Sequence, residues 1–347
     1  MHLSIIIPAL DEASALPELL QQLKMQQALC CEIIVADGGS RDRTMEIAGR
    51  AGVALVQSAR GRARQMNTGA AQASGEFLLF LHADSKIECS ILLADALSAL
   101  SHEITQAGHQ RIAGHFPLRF MEIGLAPTRF YRHLEGKTRL NRPYTINGDQ
   151  GLLLSAAFFA QLGGFDEQLP FLEDQRIAAE IFKQGRWIVL PGQLLTSARR
   201  FEIEGRRERY TLMAIIMGLH AANVDEFFKQ APAAYVVQSE TGGLQLQPML
   251  QRIRRIFRQR GFFQTLGILY RIGQFVRENA WQVAYWRDQA HDAEHLPRLK
   301  FYDRWLQPLT RNPLADLLAT VLVSLWFFVW LPLNFRHSDS IQDEGIG

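Results

Sequence analysis

A chain of 347 residues, 48% hydrophobic and 21% charged, is long enough for one large α/β domain with an appendage, or for two domains, around a sizeable core. Its formal charge of +2 argues against a globally basic nucleic-acid binder, so no nucleic-acid partner is expected. The three cysteines, Cys30, Cys31 and Cys89, make neither a disulfide framework nor a zinc spacing, which fits a reducing cytosolic setting.

The opening run "MHLSIIIPALDEA" has no basic leader and meets Asp11 and Glu12 too soon for a signal peptide. Residues 3–7 therefore read as a strand, and their continuous apolar run suits a parallel strand covered on both faces. Leu16, Leu19, Leu20 and Leu23 follow at helical spacing, with Ser14 as N-cap and Pro17 in the first turn. A second strand at 32–36 is broken by Asp37-Gly38-Gly39-Ser40. A helix over 43–50, a short strand over 54–57 and a helix over 62–73 lead to a strand at 76–81. That strand runs directly into His82-Ala83-Asp84. Strands separated by helical stretches imply βαβ units and a parallel sheet, in which ligands collect outside the carboxyl ends of the strands. Three polar clusters fall at such ends: Asp11-Glu12, Asp37-Gly38-Gly39 and His82-Ala83-Asp84.

After a helix at 90–101, residues 112–120 and 145–155 each suggest a strand. A short helix over 156–162 ends at Gly163-Gly164, where glycine takes a left-handed cap. Glu173 and Asp174 open a helix that ends at Gly185, a place where the dipole favours carboxylates, and "RWIVL" returns as a strand. Residues 206–312 read as a helical, partly basic extension. Its 249–277 stretch sets Leu250, Ile253 and Phe257 beside Arg252, Arg254, Arg255, Arg258 and Arg260. A solvated face of a packed helix and an anionic membrane surface both fit that pattern. Between Pro313 and Leu333 a single charge, Asp316, interrupts a run of roughly the 20 apolar residues that a bilayer core requires. Trp326 and Trp330 lie toward one end, and Arg304, Arg311 and Arg336 flank the segment. Pro332 and Asp316 keep a core helix or an interfacial helix open beside a transmembrane one, and membrane contact of some kind is expected. Residues 334–347 are a polar tail.

The polar clusters have chemistry in common. Glycines let backbone N–H groups approach a ligand, and a carboxylate such as Asp37 accepts from a base N–H or a ribose hydroxyl. "DGGSRD" lacks the Gly-Lys-Ser/Thr end of a P-loop, and it is not G-x-G-x-x-G. Arg62 and Arg64 stand at a helix start, either facing phosphate or simply solvated. Asp84 at a strand end, with His82 beside it, is how a Mn²⁺ or Mg²⁺ bridging a diphosphate is held. Glu173 and Asp174 either supply a general base or cap their helix.

Five segments, "SIIIPALDEA" (4–13), "VADGGSRDRT" (35–44), "GRARQMNTGA" (61–70), "FLHADS" (80–85) and "GGFDEQLPFLED" (163–174), resemble in order and spacing the family 2 glycosyltransferases. The resemblance covers about residues 1–205 and is greatest to the bacterial subgroup whose metal motif reads His-Ala-Asp. It implies a GT-A fold, an α/β Rossmann-like domain with a mostly parallel central sheet, here followed by the helical C-terminal region. It also implies a nucleotide-diphosphate sugar as donor and a divalent cation, Mn²⁺ or Mg²⁺, as cofactor. Carried over by position, Pro8 and Glu12 would lie beside the nucleoside and Asp37 on the base. Arg62, with Arg64 as second choice, and Asn67 belong to the donor side. Asp84 matches the last aspartate of the metal motif, and Asp174, preceded by Glu173, matches the base of inverting members. Asp149 in "NGDQG" falls on the acceptor-side loop.

This sequence departs from the pattern in two places. His82 stands where an aspartate is usual, and imidazole suits Mn²⁺ better than Mg²⁺. Only one aspartate precedes the glycines of "DGGSRD", which leaves the identity of the base open. The expectation is an inverting transfer to an acceptor hydroxyl or phosphate, a lipid-linked one included, at the cytoplasmic face of the cell membrane. A nucleotidyltransferase would want a glycine-rich basic loop where "PALDEA" supplies acids. A catalytically silent GT-A-like membrane-assembly module would have no need of Asp37, Asp84 and Asp174.

Overall fold

The computed structural model describes residues 1–121, 128–229, 243–289 and 295–335. They fall into two compact units, Met1–Ala198 and Arg199–Gly347. In the first unit, β1 (His2–Ala9), β2 (Cys30–Asp37), β3 (Ala54–Gln57), β4 (Phe77–Phe80) and β5 (Ile112–His115) belong to one sheet. It also takes in β7 (Leu152–Ser155) and β8 (Arg186–Val189), in the order β3-β2-β1-β4-β7-β5-β8. Neighbours run parallel except β7, which is antiparallel to both β4 and β5.

Helices α1 (Leu16–Lys24), α2 (Thr44–Arg50), α3 (Arg62–Gln72) and α4 (Leu92–Ala107) connect the early strands. Further on come α5 (Arg129–Lys137), α6 (Ala156–Leu162) and α7 (Glu173–Gln184). The apolar run of β1 serves both faces of the sheet because side chains alternate along a strand. Leu3, Ile5 and Ile7 join Leu16, Leu19, Ala48, Leu93 and Leu97 in a core beneath α1, α2 and α4. Ile6 points the other way, into a second core with Met66, Phe158 and Ile177 beneath α3, α6 and α7. Each such aliphatic side chain, fully buried, contributes about 1.5–3 kcal/mol.

Several elements differ from the sequence expectation. Residues 112–120 form two strands, not one. The run is parted at Phe116-Pro117, where proline supplies no N–H to a ladder. The second piece, β6 (Leu118–Met121), pairs instead with β9 (Leu194–Ser197) in a separate two-stranded sheet. Only 152–155 of the expected 145–155 strand is extended, and Gly148–Gln150 is a 3₁₀ turn. Ser14 does not cap α1, whose N-cap is Ala15, and the Glu12 carbonyl accepts the first amides there. Helix α5 and strand β9 had no distinct signal in the sequence.

The second unit is helical. After α8 (Arg199–Glu204) and α9 (Arg206–Ala221) comes a long helix, Gln247–Glu278, broken at Gly261, whose φ of 74° no helix accommodates. The apolar segment is a helical run, Pro313–Asn334, that packs antiparallel along the long helix. Asp316 pairs with Arg277 at one end, and Phe257 meets Phe327 at the other with ring centroids 6.1 Å apart. Between them Gly273 allows close approach, since a Cβ there would lie 2.7 Å from Thr320 Oγ1. Arg336 and the tail from 336 onward lie outside the described residues.

Candidate functional site

Strands β1 and β2 end side by side, Ala9 opposite Asp37. Asp37 is fully buried, and its Oδ2 accepts from the N–H groups of Gly39 at 2.8 Å and Ser40 at 3.0 Å. Gly39 makes this turn with a φ of 90°, a conformation glycine takes readily. The other oxygen, Oδ1, is buried and has no hydrogen-bond partner among the described residues. An unsatisfied buried acceptor costs roughly 1–3 kcal/mol, so a ligand N–H at that oxygen would be strongly favoured. Beside it, the N–H of Glu12 donates to Thr44 Oγ1 at 2.8 Å, and Asp11 Oδ1 accepts from the N–H of Arg41 at 2.7 Å. Pro8 is buried within β1 opposite Ala36, where it shapes the strand end.

Helix α3 is pinned over those ends. Gln65 Nε2 donates to the carbonyls of Ala9 at 2.7 Å and Ala36 at 3.0 Å. A Cβ on Gly69 would lie 2.5 Å from Ile6 Cγ2, so only glycine permits this depth of packing. Asn67, expected on the donor side, is otherwise engaged. Its amide receives the N–H of Phe165 and donates to the Phe165 carbonyl, both at 2.9 Å. Arg64 lies 3.8 Å from Glu167, so both side chains tie α3 to the 163–167 loop.

Arg62, at the very start of the helix, reaches the acids. Its Nη1 is 3.2 Å from Oε1 of Glu173, which is only 1% exposed. Because β7 runs opposite to β4, the residues that precede it arrive at the same sheet edge as the carboxyl end of β4. Asp149 thereby joins Asp84, Glu173 and Asp174 around Arg62. Desolvation opposes charge on the Arg62 guanidinium, but Glu173, Asp174, Asp149 and Asp84 outweigh it and raise its pKa. Burial pushes the Glu173 carboxyl up despite Arg62. Asp149 is pushed up to about 6, by burial first and then by repulsion from Asp174 and Asp84. Four carboxylates facing one guanidinium leave surplus negative charge at the sheet edge, an arrangement that attracts cations.

The Glu173-Asp174 pair is firmly placed. Asp174 Oδ2 accepts from the N–H of Gly148 at 2.7 Å, and Oδ1 from that of Gln175 at 2.8 Å. Gln175 Nε2 donates to the Ile146 carbonyl at 2.7 Å and to Asn147 Oδ1 at 3.0 Å, fixing the turn before β7 to the start of α7. A Cβ on Gly148 would lie 2.8 Å from His82 Nε2 and 3.5 Å from Asp174 Cβ, so these three residues are in contact. Leu172 holds a left-handed φ of 70° immediately before the pair. Such backbone costs about 1–3 kcal/mol in a residue with a bulky side chain and is met most often at functional sites.

Comparison with known proteins bears on the fold and on family likeness. Residues 4–154 match the model of Glycosyl transferase family 2. Within the first unit, the chain is thus similar to that family over these residues. A stretch of 105 residues is 36% identical to the PGL/p-HBAD biosynthesis glycosyltransferases of Mycobacterium bovis (strain BCG) and Mycobacterium tuberculosis (strain H37Ra). It covers 28% of this chain and 40% of each relative, so the chain spans less than half the length of these curated proteins. Among solved structures, S. aureus TarS 1–349 in complex with UDP matches with a TM-score of 0.50 at 17% identity. That match covers 88% of this chain and 91% of the other, and it shows the fold to be the expected GT-A α/β type.

The similarity to that family implies a divalent cation, and the side chains gathered here suit one. Among the described residues no three His, Cys, Asp or Glu side chains are grouped so as to enclose an ion by themselves. A cation of this class needs only one or two carboxylates, the rest of its shell being substrate phosphate and water. The exposed carboxylate of Asp84 meets that need, with Asp149 and Asp174 adding negative charge nearby. His82 turns Nε2 against Gly148. Three contributors to the site were missed in the sequence: Gln65, Gly148 and Gln175. Gln65 follows Arg62 at helical spacing, and the two glycines of "NGDQG" marked a tight turn, but neither pattern says what the side chains touch.

Proposed function

We propose that this chain is an inverting glycosyltransferase that moves a sugar from a nucleotide-diphosphate sugar to an acceptor hydroxyl. The gathering of Arg62, Asp84, Asp149, Glu173 and Asp174 at one sheet edge, beside the half-satisfied carboxylate of Asp37, carries the reading. Asp37 Oδ1 is suited to a nucleobase N–H, and Gly39, with nothing within 4 Å of where a Cβ would stand, leaves room for the nucleoside. The TarS structure of similar fold holds UDP, which is in keeping with a nucleoside diphosphate on this scaffold.

Asp174, oriented by the Gly148 amide, takes the proton of the acceptor hydroxyl. The acceptor oxygen bonds to the anomeric carbon from the side opposite the diphosphate, and the bond to the diphosphate breaks with its electron pair leaving on oxygen. Arg62, held by Glu173, faces the charge that develops there. Asp84, with His82 as second ligand, would hold the cation, which when bound neutralises the diphosphate and assists its departure. The second unit associates with the cytoplasmic face of a membrane, where a lipid-linked acceptor would be met. This part of the reading is supported by the apolar Pro313–Asn334 helix, in whose 18-residue apolar stretch only 33% is buried.

A donor screen that follows nucleoside-diphosphate release with Mn²⁺ and with Mg²⁺ tests the proposal. Asp174→Asn should lose roughly 10²–10⁴-fold in transfer while keeping donor affinity, as removal of a general base does. Asp84→Ala should lose the cation dependence. The proposal fails if no donor is bound or turned over, or if both variants transfer at the wild-type rate.

A further inference from the structure

The long helix and the apolar helix together carry an unassigned feature, at the Gly261 break. A groove of about 530 Å³ opens there, lined by Arg254 and Arg258 together with Phe257, Phe262 and Phe328. Neither arginine has an acidic partner among the described residues, whereas neighbouring Arg260 is paired with Glu226. Phe262 and Phe263, 74% and 84% exposed, stand at the break with ring centroids 5.5 Å apart. The apolar surface continues from Phe328 along the Pro313–Asn334 helix through Leu325, Leu322, Leu318 and Leu314, all exposed. Their spacing of three, three, four and four residues marks one face of a helix.

The opposite face of that helix is taken. Asp316, Ala319, Thr320, Val323 and Phe327 are buried, and Asp316 accepts from Arg277, Tyr270 and Gln274 of the long helix. A bilayer crossing by 313–334 would therefore carry the long helix in beside it, with Arg254, Arg258, Arg271 and Arg277. Each arginine at bilayer depth costs roughly 2.5–3.5 kcal/mol even on insertion scales. A pair lying in the plane of the interface avoids this cost, with the leucine face in the acyl region and the arginines at headgroup level.

We infer that the groove at Gly261 binds the phosphate of an anionic phospholipid. Arg254 and Arg258 hold the headgroup, Phe262 and Phe263 enter the leaflet beside it, and the Pro313–Asn334 helix lies flat on the membrane without crossing it. The occupant follows from charge complementarity. Two unpaired guanidinium groups bordering an apolar face match an anionic headgroup above its acyl chains. The inference rests on the membrane association proposed above and specifies its geometry and lipid class.

Flotation of the full chain with vesicles of phosphatidylcholine, pure or mixed with phosphatidylglycerol, tests it. The wild type should prefer the anionic vesicles, and high salt should weaken that preference. Arg254→Gln with Arg258→Gln should bind anionic vesicles roughly thirtyfold less, because each arginine near such a surface contributes a factor of about five. Its binding to neutral vesicles and its thermal unfolding should be unchanged. Phe262→Ser with Phe263→Ser should weaken binding to both vesicle types. Wild-type binding to anionic vesicles that survives both arginine substitutions overturns the inference and leaves membrane association standing. Failure of the wild type to float with either vesicle overturns membrane association itself. A third arm addresses the flat orientation: protease protection of the polar tail in sealed vesicles would mean that the helix crosses, and would overturn it.

Discussion

Asp149 is where one residue links stability to activity. Its carboxyl titrates at about 6 against an ordinary 3.8, so the native state holds this proton more tightly than the unfolded chain does. The stabilisation associated with that proton is complete below the unfolded value and is lost as pH rises through about 6. Asp149→Asn should therefore unfold at a higher temperature than wild type at neutral pH, with little difference in acid. The gain should be less than the ~3 kcal/mol that the full shift represents, because water screens this partly buried group. Ionised Asp149 also adds to the negative charge gathered around Arg62 and beside Asp84. The transfer rate should thus show an acid limb near pH 6 that the asparagine variant lacks, measurable as a pH profile at saturating donor.

Two glycines show how elements are positioned, and they separate catalysis from folding. Gly69 lets α3 lie against β1, and Gly148 lets the turn before β7 pass between His82 and Asp174. In Gly69→Ala the new methyl meets Ile6 Cγ2 at 2.5 Å in the core, and overpacking of that kind costs roughly 1–3 kcal/mol. Gly148→Ala places its methyl 2.8 Å from a histidine edge at a partly buried turn that can yield. There the expected loss is in rate, up to roughly a hundredfold for a displacement of about 1 Å, at nearly constant unfolding temperature. Calorimetry and initial rates on the two variants distinguish the cases.

For the whole molecule, the antiparallel helix pair governs how membrane attachment should be tested. Deleting 313–335 would uncover the face of the long helix that carries Phe257 and Gly273, and the remainder should aggregate. Replacing Leu314, Leu318, Leu322 and Leu325 with glutamine leaves that packed face intact. The substituted chain should remain monomeric on gel filtration without detergent and should unfold within a few degrees of wild type, since exposed substitutions rarely exceed about 0.5 kcal/mol each.

Much of this was legible in the sequence because it is local. Apolar period and length mark β1, β2, β4 and the helices between them, and a parallel sheet then puts Asp37 and Asp84 at its carboxyl edge. The segments that resemble family 2 pointed to the GT-A fold by the same route. What the sequence could not convey is pairing. Nothing in "LLLS" states that β7 runs antiparallel, yet that reversal brings Asp149 to Arg62. Nor does spacing reveal that Asn67 serves the Phe165 loop while Gln65 spans two strand ends, or that Pro117 divides one apolar run between two sheets. The 313–333 segment pointed to membrane contact but left core, interface and span all open. Its packing along an arginine-bearing helix separates one buried face from one exposed face. A sequence sets the period and polarity of each element by itself, whereas strand direction, buried partners and the face turned to solvent depend on residues far along the chain.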